Sequence, residues 1–238
     1  MRKLLLFIPL LILTIAAQSG GDKSNTIPAG GGGSIAYVAS SYQENSTASS
    51  TSTTISVTCN GGEFVSIIGF NGNKNNTGLS ASATNSNTVA SVPNLTIPSN
   101  NLGLFQNFYI ASCTAGSTTI TLNVTGGNTA TTLLSVARYT GLTNKTYHFH
   151  GTIGTGTNTP VSCSSSTGTG ELLVVLAYDD YGFQSYSSLA SGYNQRGYVG
   201  GGTGFFTGDN LSSTASTQTF SATISHTANW VCGQVDYY

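Results

Sequence analysis

The chain has 238 residues, of which only 6% are charged, against about 25% in an average soluble domain. Its 7 Lys and Arg and 8 Asp and Glu form no basic run, which excludes a phosphate-binding surface for nucleic acid. Low charge does not mean disorder here, because 38% of the residues are hydrophobic and they arrive in short, strand-like runs.

The chain opens with the layout of a secretory signal peptide over residues 1–19. Arg2 and Lys3 precede an apolar run from Leu4 to Ile15, and the small residues Ala16, Ala17 and Ser19 follow. The run is short of the ~20 residues a membrane span needs, and no Cys follows it for lipid attachment. The expectation is a secreted, cell-surface protein with no membrane span once the leader is removed. Residues 20–34 contain Pro28 and the run Gly30–Gly33, the composition of a flexible segment. It leads into Ile35, Ala36, Tyr37 and Val38, which read as a strand placed for exchange with a neighbouring copy.

From residue 35 to 238 the sequence reads as strands and nothing else. Ser, Thr, Gly and Pro interrupt every window long enough for three helical turns. Val, Ile, Thr, Tyr and Phe mark strands near Ile35–Ser41, Thr54–Cys59, Glu63–Phe70, Gln106–Ser112, Thr118–Val124 and Thr132–Tyr139. The second half adds Thr146–Ile153, Thr159–Cys163, Glu171–Tyr178, Tyr193–Val199, Thr217–Ile224 and Trp230–Tyr238. Thr118–Val124 alternates, with Ile120, Leu122 and Val124 on one face. Leu172–Ala177 is continuously apolar, which predicts a strand buried on both faces.

A weak internal repeat runs through this pattern. Thr54–Cys59, a Gly-rich turn and Glu63–Ile68 are echoed by Pro160–Cys163, a Ser/Thr/Gly turn and Glu171–Leu176. Each copy later reaches a Thr-rich strand and closes on an aromatic, Tyr139 or Tyr237. The expected fold is all-β: one two-sheet, jelly-roll-like β-sandwich domain with a pseudo-repeat. In an exported chain, Cys59, Cys113, Cys163 and Cys232 read as two disulfides, and their spacing matches no zinc motif. Three pairings are open; Cys59 with Cys113 and Cys163 with Cys232 is favoured, because each bridge then staples one copy of the repeat.

Tyr139–Leu142, Gly170–Val175, Ser191–Arg196 and the closing segment from Trp230 to Tyr237 carry a resemblance. The chain resembles exported prokaryotic jelly-roll-like β-sandwich domains of mostly unassigned function, loosely from Ile35 to Tyr238. In layout it is also similar to surface filament subunits that assemble by donated strands. The resemblance implies an extracellular sandwich and no reaction, and the cysteines lie outside it.

Candidate chemistry is sparse. His148 and His150 share one face of a strand, but no third metal ligand presents itself, so no metal or cofactor is expected. Asp179 and Asp180 could hold Ca²⁺, yet an acidic turn at a strand end accounts for them more simply. Glu63 and Glu171 occupy equivalent places in the repeat and are expected to end turns, solvated, without catalytic work. Tyr178, Tyr181, Phe183 and Tyr186 crowd one region and form a candidate sugar-stacking site. Asn45, Asn75, Asn94, Asn123, Asn144 and Asn210 head Asn-x-Ser/Thr sequons. The expected function is a non-enzymatic structural or adhesive surface protein, a filament subunit whose partner is itself. A carbohydrate-binding module for surface glycans stands second, and a secreted hydrolase is a distant third.

Overall fold

The computed structural model describes residues 34–73, 75–93, 103–147, 154–157, 160–180, 186–199, 204–214 and 216–238. The strands are β1 (Ala36–Tyr37), β2 (Gln43–Ser50), β3 (Ser52–Cys59), β4 (Glu63–Asn71), β5 (Gly78–Ala83), β6 (Ala90–Ser91), β7 (Leu104–Cys113) and β8 (Gly116–Thr125). They continue as β9 (Ala130–Thr140), β10 (Gly154–Gly156), β11 (Val161–Thr167), β12 (Leu172–Asp179), β13 (Asn194–Val199), β14 (Gly204–Asn210), β15 (Ser216–Ala222) and β16 (Trp230–Tyr237). The fold is all-β, and every strand pairing among the described residues is antiparallel.

Four sheets form. The first inner sheet runs β1-β9-β4-β7-β6 with β2 also on β9, and the first outer sheet is β3-β8-β5. The second inner sheet runs β10-β16-β12-β14-β13, and the second outer sheet is β11-β15. Three hydrophobic layers separate them. Ile55, Val57, Ile120 and Leu122 meet Val65, Ile67, Phe108 and Val136 between the first outer and inner sheets. Phe64, Phe70, Phe105 and Tyr139 meet Leu172, Tyr178, Phe205 and Val235 between the two inner sheets. Leu173, Val175, Phe206 and Trp230 meet Val161, Phe220 and Ile224 between the second inner and outer sheets. The sandwich is therefore doubled, with one sandwich per half and the two inner sheets face to face.

The repeat sets this architecture strand by strand. The order β9-β4-β7-β6 matches β16-β12-β14-β13, and β3-β8 matches β11-β15. Registers match too, since Phe64 sits opposite Tyr139 as Leu172 sits opposite Tyr237. Both turns that cross from an outer sheet to the central strand of an inner sheet are closed the same way. Gly62 and Gly170 adopt φ of 75° and 78°, which glycine takes without steric cost. Glu63 then accepts the Asn60 N–H at 3.2 Å, and Glu171 accepts the Gly168 N–H at 2.7 Å. Both glutamates end turns, but they are buried, at 4% and 8% exposure, not solvated as expected. A carboxylate that takes main-chain N–H groups tolerates burial.

Each outer sheet is bolted to its inner sheet by a disulfide: Cys59–Cys113 with Cα atoms 6.1 Å apart, and Cys163–Cys232 at 5.6 Å. β4 and β12 are buried along their whole lengths, as a central strand covered on both faces must be. Three described strands of more than three residues carry no sequence signal. β2 (QENSTASS) has no large apolar side chain and survives as an edge strand on β9. β5 is made of small residues. β14 ends in Gly208-Asp209-Asn210, residue types that disfavour strands, yet is fully buried.

The segment Ile35–Val38 lies along β9. It is engaged in its own chain: Ala36 and Tyr37 pair with Thr140 and Tyr139 of β9, and the Val38 N–H donates to the Arg138 carbonyl at 2.9 Å. Ile35 is buried in the layer between the inner sheets, so leaving would expose its side chain. We predict that Phe70→Ala, which empties a site against Tyr178 (4.3 Å) and Phe205 (6.2 Å), costs about 3–5 kcal/mol in chemical denaturation. A loss below about 1 kcal/mol would show that the inner layer is not the main core.

Candidate functional site

A buried polar cluster lies between the inner sheets, where β9 and β1 face β14 and β13. Its centre is Asp209, fully buried on β14. The Arg196 guanidinium grips it with two bonds, Nε to Oδ2 at 2.5 Å and Nη2 to Oδ1 at 2.9 Å. The Tyr139 hydroxyl donates to Oδ2 at 2.9 Å and the Asn194 amide to Oδ1 at 3.1 Å. Arg196 also stacks on the Tyr37 ring at 3.8 Å. The Tyr37 hydroxyl in turn accepts the Tyr42 N–H at 2.9 Å. Tyr42 completes the seam: its hydroxyl donates to Glu44 and accepts from Thr207 at 2.9 Å. The Tyr42 ring lies where a side chain at residue 197 would project, so Gly197 is required there.

This seam locks two sheets and is poorly suited to catalysis. Burial, then the Asp209 carboxylate, push the Tyr139 phenol well above its ordinary pKa, so it remains a donor. Both Asp209 oxygens are saturated with donors. The hollow beside the seam, lined in part by Ser66, Ser135, Tyr139 and Thr207, has room for about one water molecule.

The sequence-derived candidates fall in different places. Tyr178 is buried against Phe70 in the inner layer, whereas Tyr186 is buried against Phe206 in the second outer layer. The two rings face opposite sides of a sheet, so Tyr178 and Tyr186 do not share one sugar-stacking surface. Tyr181 and Phe183 lie outside the described residues, as do His148, His150 and Asn94. Asp179 and Asp180 also diverge, as adjacent strand residues must. Asp179 is buried and accepts from Tyr186, while Asp180 is exposed and takes the Asn229 N–H and amide at 2.9 and 2.6 Å. Among the described residues no three His, Cys, Asp or Glu side chains gather as a metal site. Asn45, Asn75, Asn123 and Asn144 are exposed. Asn210 is 3% exposed, which rules it out as a glycan carrier in the folded chain.

Sequence reasoning missed Arg196 and Asp209. A signal existed: after residue 19 the chain has only two arginines, Arg138 and Arg196, and in so uncharged a sequence a strand arginine calls for a buried acid. Arg138 pairs with Glu63. No protein-family model, curated protein or solved structure matches the chain. Its function has to be read from its own geometry.

The repeat places one further site in view. Matched registers make Val65–Arg138 equivalent to Leu173–Asp236, so where Glu63 meets an arginine, Glu171 meets a second carboxyl. Asp236 is fully buried, accepts from Ser165 at 3.1 Å, and shares a hydrogen bond with Glu171. Desolvation first, and Glu171 second, push the Asp236 carboxyl up to about 6. Desolvation likewise lifts Glu44 to about 7. A carboxyl whose folded pKa is raised stabilises the fold fully below its unfolded value near 4, and loses that contribution as pH climbs through the raised value. The melting temperature should therefore fall between pH 4.5 and 8, at about 2–4 °C per kcal/mol lost. Asp236→Asn should flatten the lower part of that fall. A melting temperature that rises over this range, or an Asp236→Asn curve parallel to wild type, would contradict the assignment.

Proposed function

We propose that this chain is a non-catalytic, exported surface protein with a structural or adhesive role, a filament subunit that associates with its own copies along sheet edges. The observation that carries the reading is where charge is missing. None of the five outer strands β3, β5, β8, β11 and β15 contains Asp, Glu, Lys or Arg. Edge strands are ordinarily defended against edge-to-edge pairing by charge, Lys above all. Here the outward side chains are hydroxyls instead. Thr54, Ser56 and Thr58 face Thr121, Thr119 and Ser117 on one side of the molecule. Ser162, Ser164 and Ser166 face Ser221, Thr219 and Thr217 on the other. β11 pairs with β15 in a two-stranded outer sheet. Disulfides in both halves suit an oxidising exterior.

Donation of Ile35–Val38 takes a narrower form in this reading. A neighbour's copy would have to replace the resident strand on β9, a swap of identical contacts. Light scattering and negative-stain microscopy of the mature protein test the proposal. We expect elongated assemblies for wild type, and a shift toward monomer when β3 and β11 receive the charges Ser56→Lys and Ser166→Lys. A protein starting at Ala39 separates the two routes, since it keeps edge association and loses a swap. Wild-type protein that stays monomeric at every concentration would sink the filament reading.

A further inference from the structure

We propose that the first half carries N-linked oligosaccharide, with Asn123 as its principal site, and that the second half carries none. This rests on the exported reading above. Attachment needs an Asn amide that an enzyme can reach and a hydroxyl residue two positions on. Asn123 stands exposed on β8, the middle strand of the first outer sheet, and Thr125 is exposed two residues later on the same face. Its cross-strand neighbours are Ser52 and Ser80, both small, so the amide is unobstructed. Asn75 and Thr77 are exposed beside the same end of the sheet, where the Thr77 N–H donates to the Thr125 carbonyl at 2.8 Å. Asn45 is exposed and its amide donates to the Thr54 carbonyl at 2.8 Å, a bond that the one N–H left after glycosylation can still make. Asn144 is exposed beyond β9.

Asn210 has the sequon and lacks the access. It is buried on β14, its Oδ1 accepts the Ser212 N–H at 3.1 Å, and its Nδ2 lies 3.0 Å from where a Cβ on Gly192 would project. A sugar there would require β14 to leave the sheet. The second outer sheet, β11 and β15, has no sequon at all. Glycans would therefore solvate one uncharged outer face and leave the other bare.

The reaction takes an oligosaccharide carried on a polyprenyl phosphate or pyrophosphate donor. A bond forms between the Asn123 Nδ2 and the anomeric carbon, and the bond from that carbon to the phosphate oxygen breaks. The lipid phosphate leaves with the electron pair, and the amide gives one proton to a base of the transferase. Peptide mass spectrometry of protein collected outside the cells that make it tests the assignment. The expected result is sugar on the Asn123 peptide and an unmodified Asn210 peptide. Asn123→Gln should remove one glycan mass without shifting the melting temperature. An unmodified Asn123, or any sugar on Asn210, overturns the proposal while leaving the surface-protein reading intact. Protein found only inside cells, with four reduced cysteines, would overturn both.

Discussion

β4 and β12 have no side to give to water. Every residue of both strands is buried, and their side chains alternate between two different hydrophobic layers. Such strands are stable only if each face of their sheet is covered. In the first half an outer sheet that alternates Thr or Ser with Ile, Val or Leu covers one face, and in the second half β11 and β15 cover it with Val161, Cys163, Phe220 and Ala222. The other face has nothing in its own half to meet, so the two inner sheets must meet each other. That single requirement fixes the four-layer order. It also explains why the aromatic residues concentrate in the middle layer, where Phe64, Phe70, Tyr109, Tyr178 and Tyr237 interlock at centroid distances of 4.3–5.7 Å.

The contacts across this layer are reciprocal. β4 meets β12 through Phe70 and Tyr178, β9 meets β14 through Tyr139 and Asp209, and β7 meets β16 through Tyr109 and Tyr237. Because β7 corresponds to β14 and β9 to β16, the halves face each other as two subunits of a symmetric dimer would. The departures from symmetry are polar. The Arg196–Asp209 seam has no counterpart at the β7–β16 contact, where Tyr109 and Tyr237 meet instead. The Glu63–Arg138 ion pair becomes two carboxyls, Glu171 and Asp236. One buried network thus pairs its carboxylate with a cation, whereas in the other desolvation and Glu171 raise the Asp236 carboxyl to about 6.

Some of this was legible in the sequence. The unbroken apolar run Leu172–Ala177 signalled a strand covered twice, and Thr118–Val124 signalled one with a single wet face. The repeat, once seen, favoured the cysteine pairing that the structure has. The rest depended on contacts between distant segments. β2 is a strand because β9 offers it an edge, not because its residues prefer one. Asp209 can lie inside a strand because Arg196 arrives from β13. Tyr178 and Tyr186 are near in sequence but point into different layers, a fact that depends on the path between them. Ile35–Val38 read correctly as a strand, but its acceptor was its own β9.

The outer sheets, which carry no charged residue, present Ser and Thr to water, and the proposed edge association and glycosylation both draw on that surface. All of it presupposes that the halves act as one body through their middle layer. Differential scanning calorimetry of the oxidised, mature protein tests this most directly. The account predicts one endotherm whose calorimetric and van't Hoff enthalpies agree. Two resolved endotherms, each assignable to one half, would contradict it.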